Sequence, residues 1–253
     1  MKTNKLVITR REILIGGLTS MGGLLLTGCS TKLPPTYGNI LRMGDVLTYT
    51  AHRTLLSGKS LAREYSHKDI SSFPATGTTN PGDPDKPNSS EIYRRLHGGG
   101  FTDWQLSIEG LVARPGSFSL ADLKRLPSQT QITKHICEEG WSAIGEWTGV
   151  PLSRVLDAAG MLPTARFVSF YSYDDWADSI DLLDALHPQT LIAYGMNGRD
   201  LSVAHGAPVR LRVETQLGYK SMKYLQRIVV KNEFDDGGEK GNIQNGWSWY
   251  VGI

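Results

Sequence analysis

Cys137 stands in the run His135-Ile136-Cys137-Glu138-Glu139-Gly140-Trp141-Ser142, whose residue types can hold a soft metal or do thiol chemistry. A thiolate is a soft donor, and coordination strips its proton outright. His135 precedes the cysteine by two positions, so on a strand the two side chains share a face. The imidazole there either orients the sulfur and tunes it or is a satisfied core histidine. A second run, His205-Gly206-Ala207-Pro208-Val209-Arg210-Leu211-Arg212, is followed by Gly218-Tyr219-Lys220-Ser221-Met222-Lys223. It concentrates Arg210, Arg212, Lys220 and Lys223 in a chain of formal charge +2. Cations on short turns suit an anionic group such as phosphate, and Gly218 lets backbone N–H groups come close to it. For Arg212 and Lys220, a solvated strand end and turn is an equally good reading. The sequence contains no Gly-x-Ser-x-Gly elbow, His-Glu-x-x-His pair, phosphate-binding Gly-rich loop or Cys-x-x-Cys-His haem site.

The elements that must position these residues are short and mixed. Gln105 to Leu111 reads as a strand ending at a Pro115-Gly116 turn, and Ser119 with Asp122 caps a short helix. Gln131 to Cys137 reads as a strand that delivers the cysteine into a Gly- and Trp-containing loop. Leu152 to Ala159 reads as a helix between Pro151 and Gly160. Strands are expected at Phe167–Tyr171, Leu191–Tyr194, Val209–Val213 and Leu225–Val230, with a hairpin-like turn at Asn197-Gly198. The class is α+β in one domain, with no internal repeat. Tyr173, Asp174 and Trp176 fall in a loop that forms a substrate mouth or packs, and Trp247, Trp249 and Tyr250 either close over the site or cap the core.

Arg10 and Arg11 precede an uncharged apolar run from Ile13 to Leu26, too short to span a bilayer comfortably. Residues 1–28 are therefore expected to be a signal peptide, 29–90 a tether and extended lead-in, and 91–253 the working domain. Thr9-Arg10-Arg11-Glu12-Ile13-Leu14 resembles the twin-arginine signal for export of folded proteins, and Leu26-Thr27-Gly28-Cys29 resembles a lipoprotein box. The expectation is a periplasmic protein, lipid-anchored through Cys29 to the outer or inner membrane surface. Losing residues 1–28 removes four basic residues and one acidic one, turning +2 into −1. That leaves no positive field for nucleic acid. With Cys29 acylated, Cys137 has no disulfide partner in the chain.

HxCxEGWS, WTGVPL, AxHPQTLIAYGMNG, HGAPVRLRV and LGYKSMKYLQRI, in this order between Ser90 and Val230, resemble the molybdopterin-binding domain of the sulfite oxidase family. The likeness is to its small bacterial branch, that of the periplasmic methionine sulfoxide reductases. It implies a mixed-sheet fold binding one molybdopterin and one molybdenum ion, with Cys137 as metal ligand and His135 beside it. Ser172, His205, Arg210 and Ser221, Met222 and Lys223 match the family's cofactor contacts, and Asn80 and Tyr93 match more loosely. Position 205 is an asparagine and position 172 a threonine in the reductase pattern. The implied reaction is oxygen-atom transfer on a small substrate, either sulfoxide reduction or sulfite-type oxidation. Tyr- and Trp-rich loops lean toward the sulfoxide. Electrons would pass to or from a separate cytochrome or membrane quinol protein. The chain ends about twenty residues after its last expected strand, which favours a monomer. Two other readings stay open: a cofactor-free thiol enzyme using Cys137 with His135, and a lipoprotein binding module that has lost the metal.

Overall fold

The structure, a computed structural model, describes residues 43–56 and 60–253. The twin arginines, the apolar run and Cys29 lie outside the described residues. The lead-in is not extended throughout: Met43–Leu55 forms helix α1. Glu91–Gly98 forms α2, capped by the Ser90 side chain, which accepts from Tyr93 N. Strands β1 (Gln105–Gly110) and β2 (Gly116–Ser119) run into α3 (Leu120–Arg125), where Ser119 and Asp122 close the expected capping box. Next come β3 (Gln129–Ile136), β4 (Ser142–Pro151), α4 (Leu152–Ala159) and β5 (Phe167–Ser172). The order continues with β6 (Ala177–Asp181), α5 (Leu182–Ala185), β7 (Leu191–Met196), β8 (Arg199–Asp200), β9 (Arg210–Arg212) and β10 (Leu225–Lys231).

Two sheets form: β2-β1-β10-β5-β6, and β3-β4-β7-β8 with β9 also paired to β7. Among the strands of the described residues, β1 pairs with β10 in parallel and the other ladders are antiparallel. The main core is built from Leu106 and Ile108 of β1, Phe170 of β5 and Ile228 of β10, joined by Val150, Ile192 and Leu211 from the other sheet. The apolar face of α4, Leu152, Val155 and Leu156, packs into it. Asn197 and Gly198, both at positive φ, make the tight turn between β7 and β8, as their residue types predict.

Strands β4 and β6 are not visible in the hydrophobic pattern, for different reasons. In β4 the buried positions that alternate from Ala143 to Gly149 are Ala143, Gly145, Trp147 and Gly149, two of them without a side chain, and only Val150 and Pro151 at the end of the strand add further buried residues. In β6 every residue is buried yet most are polar, each satisfied elsewhere: Ser179 Oγ lies 2.9 Å from Ser169 Oγ, Asp178 receives Lys220 at 2.7 Å, and Asp181 receives Arg53 at 2.9 Å.

Strands β3 and β4 form the hairpin that carries the cysteine, with His135 opposite Ala143 and Ile136 opposite Ser142. On the other side of β4, the ladder to β7 shifts register between Thr148 and Gly149. A Cβ on Gly149 would sit 2.3 Å from the Ile192 carbonyl oxygen and 2.6 Å from Ala193 Cα, both backbone atoms that cannot swing aside. Gly149→Ala is therefore expected to lower unfolding free energy by about 1–3 kcal/mol. Urea titration should show a lower midpoint at an unchanged slope.

Candidate cofactor site

Cys137 opens the β3–β4 hairpin loop. Its N–H donates to the Trp141 carbonyl at 2.9 Å and its own carbonyl accepts from Gly140 N at 3.2 Å, a turn closed by Gly140 at positive φ. The side chain is buried, with Sγ 3.5 Å from Glu138 Oε2 and 3.5 Å from the Glu139 N–H. Burial pushes the thiol's pKa up, the Glu139 N–H opposes this, and the Glu138 and Glu139 carboxylates add to the rise. The bare group is a thiol at neutral pH, and it becomes a thiolate only when a cation or metal replaces the proton.

His135 shares the inward face of β3 with Gln131 and Thr133. Arg212 Nη1 donates to His135 Nδ1 at 2.7 Å, which puts the ring's own proton on Nε2. Burial, then Arg212 and Arg210, drive this histidine's pKa down to about 2. Arg212 is itself fixed by Glu214 at 2.6 Å, and Gln131 Nε2 donates to the same carboxylate at 2.9 Å. Gly218 lies against the other edge of the ring, where a Cβ would come within 2.4 Å of His135 Nε2. Among the described residues, the ring and Cys137 Sγ share no hydrogen bond.

A cavity of about 300 Å³ connects the two runs singled out in the sequence. His135, Cys137, His205, Arg210, Ser221, Met222 and Lys223 all line it. Ser172, Tyr93 and Asn80 do not. Ser172 Oγ donates to Asp174 Oδ1 at 2.6 Å, and it is Asp174 and Trp176 that reach the wall. Tyr93 donates to the Ala207 carbonyl at 2.7 Å, behind the His205 turn, and Asn80 Oδ1 accepts from Gly82 N at 2.9 Å. Arg212 and Lys220 are not solvated: both are buried, Lys220 paired with Asp178 at 2.7 Å. Of the three C-terminal aromatics, Trp247 lines the cavity while Trp249 and Tyr250 are buried against Tyr49 of α1.

The sequence reading missed the segment Phe73 to Thr78, which also lines the cavity. Phe73 is within 5.2 Å of the His135 ring, 5.7 Å of Trp141, 5.4 Å of Trp147 and 5.6 Å of His205. A lone aromatic in a turn-rich stretch carries no periodicity that would have revealed it. Lys223 Nζ donates to the carbonyls of Thr76 and Ala204 at 2.9 and 3.1 Å, and to that of Thr78.

The cations explain what the cavity is fitted for. Arg210 Nη1 and Nη2 donate to the carbonyls of His205 and Ser221 at 3.2 and 2.7 Å, while its buried Nε has no partner. Burial, then Arg212, works against its charge. Burial and Arg210 likewise lower Lys223 to about 8, and His205 is lowered by burial and both cations. Neither Arg210 nor Lys223 has a carboxylate within ion-pair distance among the described residues. A buried guanidinium with an orphaned N–H beside an ammonium calls for an anion, and a soft thiol on the same wall for a soft metal. A molybdenum bound through a phosphate-bearing pterin supplies both, so the residues present fit that group.

A family model described as the oxidoreductase molybdopterin binding domain matches residues 97–238. Among curated proteins, the chain is 33% identical, over 96% of its length and 87% of the relative's, to the "Putative protein-methionine-sulfoxide reductase subunit YedZ1" of Azospira oryzae. It is 28% identical, over 89% of its length and 71% of the relative's, to the protein-methionine-sulfoxide reductase catalytic subunit MsrP of Xanthomonas axonopodis pv. citri. Among solved structures, the sulfane dehydrogenase SoxCD of Paracoccus pantotrophus aligns with a TM-score of 0.50 at 26% identity. That match covers 53% of this chain and spans 39% of the other.

The His135 environment has a pH signature. Its folded value of about 2 lies below the unfolded value of 6.5, so as pH falls the unfolded chain takes up the proton first. The stabilisation is complete above about pH 6.5 and is lost progressively below it. Nitrogen NMR of the imidazoles should show the His135 ring neutral and Nε2-protonated throughout the folded range. His135→Gln should flatten the acid side of the stability profile.

Proposed function

The chain belongs to the oxidoreductase molybdopterin-binding family and is an oxidoreductase; from that premise we propose that it reduces sulfoxides of the methionine type at the outer face of a bacterial membrane. The observation that carries the substrate reading is the charge beside the thiol. The groups next to Cys137 are Glu138, Glu139 and Trp141, and both carboxylates raise the thiol's pKa. Sulfite would approach two negative charges there. A neutral sulfoxide avoids that repulsion, and its apolar arms suit the aromatic wall of Phe73, Trp141, Trp176 and Trp247.

Bound at this site, the molybdenum–molybdopterin group would supply the two-electron exchange through which an oxygen atom passes between sulfoxide and water. Cys137 would hold the metal as thiolate. Arg210 and Lys223 would hold the anionic phosphate, with Ser221 and Met222 lining the same turn. His135, kept neutral by Arg212, presents an Nε2–H as a fixed donor rather than as an acid. Phe73 and Trp141, packed edge to face, line the wall beside the buried Cys137. The thiol-enzyme alternative is disfavoured, since it needs a sulfur–imidazole hydrogen bond and a lowered thiol pKa.

Export through the twin-arginine route, acylation of Cys29 and a periplasmic, monomeric working form belong to the same proposal and rest on the sequence signatures. Relatives are named as subunits, which supports a separate electron carrier, a cytochrome or a membrane quinol protein.

Elemental analysis and a substrate screen test the reading together. Wild type should carry stoichiometric molybdenum and reduce methionine sulfoxide. Cys137→Ser should lose both, and Arg210→Met should hold the cofactor on the order of 10–100-fold more weakly. Sulfite turnover without sulfoxide turnover would reject the substrate, and wild type free of molybdenum and pterin would reject the enzyme reading in favour of a binding module.

A further inference from the structure

Helix α1 is amphipathic the wrong way round for a helix on a water-soluble surface. Its one fully buried residue is Asp45. Arg53 also points inward, with Nη2 2.9 Å from Asp181 Oδ1 and 2.7 Å from Asp184 Oδ2. Tyr49 packs at 4.9 Å on Trp249 and 5.1 Å on Tyr250. The exposed positions are Met43, Gly44, Leu47, Thr50, Ala51, Thr54 and Leu55, without one charge among them. Met43, Leu47, Ala51 and Leu55 recur every fourth residue and form a single stripe. Leu47 is 45% exposed and Leu55 80%, and the next residue, Leu56, is 48% exposed. The Thr54 hydroxyl on this face is already satisfied, donating to the Thr50 carbonyl at 2.6 Å. An apolar patch of this continuity marks a surface that is covered in use.

We propose that this face of α1 lies on an anionic lipid bilayer, in the plane of the headgroups. Lys32, Arg42, Lys59 and Arg63 flank it in the sequence, Arg53 being ion-paired inward with Asp181 and Asp184. Asp45 is the single acid between residues 30 and 63, whereas the chain from Glu64 onward carries more acidic than basic residues. An apolar stripe with basic flanks is the composition of an interfacial helix. At 13 residues, α1 is too short to span, and among the described residues no helix is long and apolar enough to cross a membrane. The inference rests in part on Cys29 being the acylated anchor. Only residues 30–42 separate Cys29 from α1, a reach of at most roughly 50 Å. Through Trp249 the helix abuts the segment that carries Trp247 to the cavity wall, so its seat on lipid would hold the cavity close to a membrane-borne electron carrier.

The test uses the full exported chain, reconstituted in phosphatidylglycerol-containing vesicles, with a fluorophore on Leu47→Cys or, as control, on the exposed Asp157→Cys in α4. Mass spectrometry of the N-terminal fragment reports acylation separately. Quenching by a lipid-borne nitroxide should be several-fold stronger at position 47 than at 157, with a matching loss of iodide quenching, whether or not Cys29 proves acylated. Full iodide access at position 47 on protein that floats with the vesicles overturns the surface and leaves the anchor. Protein that fails to float overturns both. A disulfide-linked dimer of Leu47→Cys on oxidation, or shielding of position 47 from both quenchers, assigns the face to a second copy or to the chain itself and also overturns the proposal.

Discussion

A guanidinium and an ammonium sit in the wall of one cavity, with backbone carbonyls for partners and, among the described residues, no carboxylate in ion-pair reach. Each would cost several kcal/mol to desolvate if left alone. Arg210 uses two of its donors on the carbonyls of His205 and Ser221, and Lys223 uses its protons on those of Thr76, Thr78 and Ala204. Carbonyl dipoles soften the cost without cancelling the charge, so positive charge persists around Arg210 and Lys223, offset only in part by Asp174, and a bound anion would remove it. This explains a feature of the chain that no local propensity would produce. The lead-in lines the cavity, held there in part by the Lys223 proton donors on its carbonyls, and it places Phe73 among His135, Trp141, Trp147 and His205.

Legibility in the sequence followed the range of the forces involved. Local devices were plain to read: the Ser119–Asp122 box, the Asn197-Gly198 turn, and the helix between Pro151 and Gly160 all depend on neighbours in sequence. The cavity residues of the two motif runs were legible because their chemistry is unusual and clustered. Strand β4 was not, since glycine replaces side chains at its inward positions, and β6 was not, since its buried residues are polar and satisfied by Lys220, Asn242 and Arg53. Those partners are 42, 64 and 128 residues away along the chain. Phe73 and α1 belong to the same class of long-range dependence, each defined by what it meets rather than by its own neighbours.

The positions that do not line the cavity show how motif residues can act one layer back. Tyr93 fixes the Ala207 carbonyl and so the turn that presents His205 and Arg210, while Ser172 fixes Asp174 and accepts from Trp176 N at 3.1 Å. Arg212 works similarly, joined to Glu214 on one side and His135 on the other. A rigid first layer needs such support, because loosely held ligating groups bind weakly.

The choice between a metal ligand and a nucleophile at Cys137 comes down to what surrounds the sulfur. A catalytic thiol is made reactive by a cation, a helix N-terminus or a paired imidazole that stabilises the thiolate in advance. Here the nearest charged groups are carboxylates and the nearby imidazole gives its Nδ1 to Arg212 instead. That arrangement leaves the free thiol inert, and its burial shields it from oxidation. A metal bound at this sulfur would itself have to displace the proton, against both burial and the two carboxylates. The same carboxylates that make Cys137 a poor nucleophile set negative charge beside the thiol, so the cavity lining is divided between that patch and the cations of the second run, Arg210 and Lys223.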